Sequence, residues 1–145
     1  MFYFAYGSSM NFHHMRRICG WHFTMLGQAC LPDFEFGLDL RGYANIHKKQ
    51  GSKVFGILYK IDEQGLKALD EYEGIPLVFD RAEVDIKDGD GSLHKAWVYL
   101  EKPEEFGGKL INEPHFKMLI AGAMAGRLPE DWVNFLKSFL KNTTI

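Results

Sequence analysis

The sequence predicts an α+β fold in which strands, with one early helix pair between them, precede two helices within one domain spanning residues 1–145. Apolar runs and two-residue alternation, which are typical of strands, occupy most of the first hundred residues. Helical spacing of apolar residues dominates the last third. A length of 145 residues fits one domain, and neither an internal repeat nor a low-complexity linker divides the chain.

Two strands buried on both faces are predicted at residues 2–6 and 54–61, because both segments are almost continuously apolar. Gly56 marks a close backbone approach in the second of them. Residues 23–40 are also strand-like, but glycines and a proline interrupt them, which favours a bent or bulged strand pair over one long strand. Residues 41–52 are predicted to form a polar loop.

A β-hairpin is predicted at residues 81–100. Apolar and charged residues alternate over residues 81–87, and the sequence DGDG at residues 88–91 is a turn signal. Residues 93–100 alternate again and supply the partner strand.

The predicted helices differ in length and pattern. The turn at residues 7–9 offers serines as caps for a short helix over residues 10–19, which ends at Gly20. Two amphipathic helices follow in the last third, separated by a break at Leu128 and Pro129. Their apolar residues recur at helical spacing and predict one face packed on the sheet: Phe116, Leu119, Ile120, Ala123 and Met124, then Trp132, Phe135, Leu136, Phe139 and Leu140.

A further helix is predicted at residues 62–74, with Asp62 as its N-cap and Gly74 as its C-terminal stop. Its last turn is acidic, although the helix dipole favours cations there, and each misplaced acid costs about 0.3–1 kcal/mol at an exposed site. The acids are Asp70, Glu71 and Glu73. Residues that oppose the local stability of a helix without a visible compensating gain are expected at functional sites. A solvated surface patch explains the same pattern.

Glu73 is the candidate catalytic residue of this cluster. The helix end and the flanking apolar residues would hinder ionisation and raise the pKa of its carboxyl group. Those flanking residues are Tyr72, Ile75, Leu77 and Val78. A glutamate with a raised pKa can act as a general acid and base near neutral pH.

Composition excludes several classes of function. The net charge of −2 and the absence of any basic run longer than two residues argue against a nucleic-acid partner. No segment approaches the ~18 apolar residues of a membrane span, and no secretory signal pattern is present. The cysteines, Cys19 and Cys30, lack metal-site spacing and suit small buried positions in a reduced, cytoplasmic protein.

The glycine turn after the first strand is the candidate substrate-binding loop. Its residues are Tyr6, Gly7, Ser8 and Ser9. Successive backbone N–H groups at such a turn form a nest that can hold an anion or a developing oxyanion.

Five motifs in order resemble the γ-glutamylcyclotransferase family, including the branch that acts on γ-glutamylamines. They are the sequence FAYGSS at residues 4–9, VFGILYKI at 54–61, LDEYEG at 69–74, FDR at 79–81, and the pair GA at 122–123 followed by LP at 128–129. The resemblance implies a small mixed β-barrel with packed helices. It also implies that Glu73 is the catalytic acid and base, and that Tyr6, Gly7, Ser8 and Ser9 hold the substrate.

The implied reaction converts a small-molecule γ-glutamyl amine or amino acid to 5-oxoproline and the free amine. The substrate's own α-amino group attacks its γ-carbonyl, so no metal or cofactor is needed. Two positions depart from the family pattern. Ser9 stands where relatives have Asn, and His115 or Phe116, depending on a one-residue slip, stands where they usually have Tyr.

The same residues allow other interpretations. A serine hydrolase using Ser8 or Ser9 lacks the Gly-x-Ser-x-Gly elbow, and a metal site would depend on His13, His14 and His22, whose spacing does not bring them together. A binding module of the same fold without turnover is the remaining alternative. Three arginines are candidates for binding a substrate carboxylate or for surface salt bridges: Arg41, Arg81 and Arg127.

Overall fold

The computed structural model describes residues 1–74 and 79–141 and closes five strands into a barrel. The strands are β1 (Phe2–Ala5), β2 (Phe23–Leu38), β3 (Ala44–Ile61), β4 (Asp80–Asp88) and β5 (Leu93–Leu100). Their order around the barrel is β1-β3-β2-β4-β5, and the neighbours are antiparallel except for β1 and β5, which pair in parallel. The α+β prediction and the barrel implied by the family resemblance are confirmed.

Two helices lie between strands and two follow the last strand, as the sequence predicts. They are α1 (Phe12–Cys19), α2 (Glu63–Glu73), α3 (Glu113–Ala125) and α4 (Glu130–Ser138). Short 3₁₀ turns lie at Ser8–Met10, Pro103–Glu105 and Phe139–Lys141. Among the residues that the structure describes, no helix combines the length and apolar character needed to cross a membrane.

The long β2–β3 hairpin corrects two predictions. The expected strand pair at residues 23–40 is one strand whose register shifts between Met25 and Gly27 and again between Pro32 and Phe34. The expected polar loop at residues 41–52 is wrong from Ala44 onward, because β3 begins there and pairs with β2. Residues 48–51 have exposed side chains, which explains why their composition resembles a loop.

Helix caps confirm one prediction and correct another. Asp62 accepts a hydrogen bond from the Gly65 N–H (2.9 Å), and Gly74 ends α2 in the left-handed conformation at φ 76°. The expected serine caps are wrong, since Asn11 caps α1 by accepting from the His14 N–H at 3.2 Å. The serines instead lie in the 3₁₀ turn Ser8–Met10.

The core joins the barrel interior to the inner faces of α3 and α4. Most of the predicted apolar stripe of α3 is buried, but Met124 is exposed. In α4, Leu136 is fully buried, whereas Phe135 is partly exposed. The close approach predicted at Gly56 is confirmed, because a Cβ atom there would overlap the carbonyl oxygen of Ala5.

Candidate active site

A cavity of about 420 Å³ is lined by the end of α2, the β2–β3 connection and the start of α3. It brings together all the predicted site residues. One side, here called the helix wall, is formed by residues 6–9 and 72–74. Another side, here called the loop wall, is formed by the chain segments 41–44 and 112–115. Tyr3 and Tyr99 of the barrel strands also line the cavity.

The Tyr6–Ser9 loop is held by its own side chains and by the barrel. The Tyr6 hydroxyl donates to the carbonyl oxygen of Tyr99 (2.6 Å), and the Tyr59 hydroxyl donates to the carbonyl oxygen of Ser9 (2.7 Å). Tyr6 therefore contributes its ring to the cavity, because its hydroxyl is already engaged in a buried hydrogen bond.

The backbone N–H groups of Gly7, Ser8 and Ser9 donate to no acceptor within residues 1–74 and 79–141. Gly7 is the N-cap of the 3₁₀ turn, and Ser8 and Ser9 are its first two residues, where unpaired N–H donors are expected. A Cβ atom at Gly7 would lie 3.4 Å from Ala44 Cβ and 3.9 Å from His115 Cε1, so the loop passes close to the loop wall. The segment thus lines the cavity and carries unpaired backbone donors, which a nest requires.

Glu73 is the last residue of α2, and its side chain faces the cavity. Burial raises the pKa of its carboxyl group to about 7, and the positive charge of Arg41 opposes that rise. No side-chain hydrogen bond of Glu73 is formed with any residue that the structure describes. The pKa rise agrees with the prediction, although Ile75, Leu77 and Val78, which were expected to cause it, lie outside the described residues.

The other acids of the last turn have different environments. Asp70 accepts from Arg81 Nη1 (2.6 Å) and from the Tyr99 hydroxyl (2.7 Å), so both of its oxygens are paired. Glu71 is exposed. The acidic cluster therefore contains one paired acid, one solvated acid and one acid in the cavity.

Arg41 is the arginine of the three candidates that lines the cavity. Its Nη2 donates to Asp39 Oδ2 and to Glu101 Oε1, each at 3.0 Å. Arg81 instead pairs with Asp70, and Arg127 follows α3 with a left-handed φ of 56°. Neither of these two is among the residues that line the cavity.

His115 is the cavity residue that sequence reasoning left undecided. Its Nε2 accepts a hydrogen bond from the Ala44 N–H (3.1 Å), whereas Phe116 is fully buried in the core. Burial lowers the pKa of His115 to about 4, so the ring is neutral near pH 7. Because Nε2 is the acceptor, the proton of the neutral ring is assigned to Nδ1.

Of the three histidines considered for a metal site, His14 lines the cavity. Within residues 1–74 and 79–141, no group of three or more His, Cys, Asp or Glu side chains is placed to hold a metal ion. His22 pairs with Asp62 at 2.9 Å on the surface. Cys19 is a buried free thiol, as predicted, and Cys30 is a half-buried one. Neither cysteine lines the cavity.

The chain resembles known proteins both in sequence and in structure. The family described as "Gamma-glutamyl cyclotransferase, AIG2-like" matches residues 3–118. Gamma-glutamylaminecyclotransferase A of Danio rerio is 31% identical over 70 residues, which are 47% of this chain and 42% of the relative. The aligned region thus spans less than half of the length of that relative.

Solved structures share the fold. A protein described as "Gamma-glutamyl cyclotransferase" superposes with a TM-score of 0.88 at 23% identity, covering 95% of this chain and 86% of that one. An uncharacterized human protein gives 0.85 at 24% identity, covering 94% and 86% of the two chains. YkqA of Bacillus subtilis gives 0.84 at 23% identity, covering 100% of this chain and 56% of that one. Because the family match covers most of the sequence and the fold agrees, the chain belongs to the γ-glutamyl cyclotransferase, AIG2-like family.

Proposed function

We propose that the protein converts a γ-glutamyl amine or γ-glutamyl amino acid to 5-oxoproline and the free amine. The observation that carries this proposal is the position of Glu73, a carboxyl group with a pKa of about 7 in a cavity that also receives unpaired backbone N–H groups. Family membership supports the same reaction class.

The proposed first step is attack of the substrate's α-amino group on its own γ-carbonyl carbon. Glu73, when ionised, takes a proton from the α-ammonium, and the freed nitrogen closes a five-membered ring. Because nucleophile and carbonyl belong to one molecule held in one geometry, the entropic advantage can reach ~7–11 kcal/mol.

The ring closure produces a tetrahedral oxyanion, which the N–H groups of Gly7 and Ser8 stabilise in this proposal. Such donors contribute ~2.7–4 kcal/mol each in other enzymes. These N–H groups suit the role because no described residue accepts from them.

Collapse of the intermediate breaks the bond between the γ-carbon and the leaving nitrogen. Glu73, now protonated, gives its proton to that nitrogen and then takes the second proton from the ring nitrogen, which passes to the departing amine. The ammonium loses two protons over the whole reaction and the leaving nitrogen gains two, so charge and atoms balance without a cofactor.

The decisive experiment measures 5-oxoproline release from a panel of γ-glutamylamines and γ-glutamyl amino acids. Wild type, Glu73→Gln and Glu71→Gln are assayed in parallel, since Glu71 is the exposed acid of the same helical turn. We expect Glu73→Gln to lower kcat by ~10²–10⁴-fold and Glu71→Gln to remain within about threefold of wild type. In wild type, kcat/KM should fall as the pH drops below about 7, because the base becomes protonated.

Three outcomes contradict the proposal in different ways. Equal release by wild type and Glu73→Gln would refute the role of Glu73. Absence of release with measurable binding of 5-oxoproline would favour the binding module without turnover. Absence of both release and binding across the panel would refute the substrate class.

A further inference from the structure

We propose that Arg41 binds the α-carboxylate of the substrate, and that the cavity therefore selects γ-glutamyl compounds whose α-carboxylate is free. This inference rests on the proposed function and specifies which part of the substrate the loop wall recognises. It makes Arg41 a specificity-determining residue.

Arg41 is held in position by two buried carboxyl groups. Asp39 and Glu101 have side chains that are 1% and 3% exposed, and both accept from Nη2 of Arg41. Asp39 Oδ1 also accepts from the backbone N–H groups of Arg41 (2.8 Å) and Tyr43 (2.9 Å). These bonds fix the loop from which the arginine extends, so the guanidinium is pre-organised.

The arginine still has donors available for a ligand. A guanidinium carries five N–H donors, and within residues 1–74 and 79–141 only its Nη2 donates to a carboxylate. The side chain remains 48% exposed. Its guanidinium carbon lies 4.7 Å from the ring centroid of Tyr43 and 6.0 Å from that of Phe79, and both rings line the cavity.

The charge balance of the cluster permits an anion to approach. Burial, followed by the neighbouring Asp39, raises the pKa of Glu101 above its usual range. Glu101 Oε2 is buried and has no hydrogen-bond partner among the described residues, which fits a protonated, neutral carboxyl group, because an unpaired buried charge is costly. Asp39 and Arg41 then form a neutral pair, so the cluster does not repel a carboxylate.

The amino-acid head of a γ-glutamyl compound complements the two walls. It carries an ammonium and a carboxylate on one carbon, and the cavity presents Glu73 on one wall and Arg41 on the other. Arg41 is near enough for its charge to affect the pKa of Glu73. A carboxylate bound at Arg41 would leave the ammonium on the side of Glu73, which is the orientation that ring closure needs.

The test compares protein variants on two substrates that differ only in the α-carboxylate. Each member of a pair of γ-glutamyl amides has the same α-amine and leaving group, but one has an α-carboxylate and the other an α-carboxamide. Wild type, Arg41→Gln, Arg41→Lys and the surface control Lys95→Gln are assayed with both. Lys95 is exposed and pairs with Asp85 outside the cavity.

We expect Arg41→Gln to lower kcat/KM for the carboxylate by ~10–100-fold, mainly through KM, because charge-assisted hydrogen bonds are lost. Its effect on the carboxamide should stay within about threefold. Arg41→Lys should retain part of the preference, since it keeps the charge, and Lys95→Gln should retain all of it. An equal loss on both substrates with Arg41→Gln would overturn the inference.

Binding measurements separate this inference from the proposed function. Calorimetry compares 5-oxoproline with 5-oxoprolinamide on wild type and Arg41→Gln. A wild type that releases 5-oxoproline but binds both ligands equally refutes the role of Arg41 alone, whereas one that neither releases nor binds 5-oxoproline refutes both proposals. If Arg41→Gln does not fold, the double variant Arg41→Gln/Glu101→Gln takes the place of the single variant in both assays. It removes a buried acid together with the cation, so no unpaired buried charge is left at Glu101.

Discussion

Burial shifts the pKa values of the two walls of the cavity in opposite directions. On the helix wall, burial raises the pKa of Glu73 to about 7. On the loop wall, burial lowers the pKa of His115 to about 4. The same physical cause thus favours the neutral form of both an acid and a base, because a partly desolvated cavity disfavours charge of either sign.

This difference between the two walls suits them to different chemical roles. The helix wall holds an acid that can exchange a proton near neutral pH, beside unpaired N–H groups. The loop wall holds the neutral imidazole of His115 and the guanidinium of Arg41. Among the described residues that line the cavity, Arg41 is the one that stays fully charged at neutral pH. We therefore expect substitutions on the helix wall to change kcat and substitutions on the loop wall to change KM.

After the loss expected for Glu73→Gln, the largest effect should come from the backbone of the helix wall. Ser8→Pro removes one of the two N–H groups assigned to the oxyanion, and proline is tolerated at the first position of a helical turn. We expect kcat to fall by ~10²–10³-fold, with KM changed little. Steady-state kinetics with the panel substrates measures both constants.

Ser8→Ala is the matched control, because it removes the hydroxyl group and keeps the N–H group. It should lose less than about tenfold in kcat. If Ser8→Ala loses as much activity as Ser8→Pro, the hydroxyl group rather than the backbone is responsible, and the oxyanion assignment is wrong.

The next effect is on stability. Since the pKa of Glu73 is raised on folding, the folded state binds more protons than the unfolded state between about pH 4.5 and 7, and stability is lost as the pH rises through that window. Glu73→Gln removes this loss. We expect the variant to gain up to ~3 kcal/mol in free energy of unfolding at pH 8 and almost nothing at pH 4.

Urea unfolding at several pH values measures the gain, with Glu71→Gln as the exposed control. A pH-independent difference between Glu73→Gln and wild type would show that Glu73 titrates with an ordinary pKa. That result would also remove the physical basis for its role as a base near neutral pH.

The helix wall could be predicted from the sequence because its signals are local. A glycine turn directly after an apolar strand indicates Tyr6–Ser9, and an acid against the helix dipole indicates Glu73. Each pattern lies within one short segment, so no knowledge of the barrel is needed to find it.

The loop wall could not be predicted in the same way. Arg41 and His115 lie 74 positions apart, and they meet because the β2–β3 hairpin brings the start of β3 to the start of α3, where Ala44 donates to His115. The prediction of a loop over residues 41–52 concealed that hairpin, since the exposed side chains of β3 have loop-like composition. Barrel closure likewise followed from the family resemblance and not from local patterns.

The smallest effect tests the loop wall through His115. Because its pKa is lowered on folding, the unfolded state binds more protons between about pH 4 and 6.5, and stability is lost as the pH falls through that window. His115→Phe removes this loss but leaves the buried Ala44 N–H without its acceptor, which costs ~1–3 kcal/mol. We expect the variant to be less stable than wild type at pH 8, and the deficit to shrink by ~2 kcal/mol at pH 5.

The two stability variants also test each other, since the opposing proton effects of Glu73 and His115 largely cancel in wild type between about pH 5 and 6.5. Relative to wild type, the Glu73→Gln variant should become more stable as the pH rises through this range. Relative to wild type, the His115→Phe variant should become less stable over the same range. Differences from wild type that change in the same direction with pH in both variants would contradict the comparison of the walls, because burial would then not be acting on an acid and a base in one cavity.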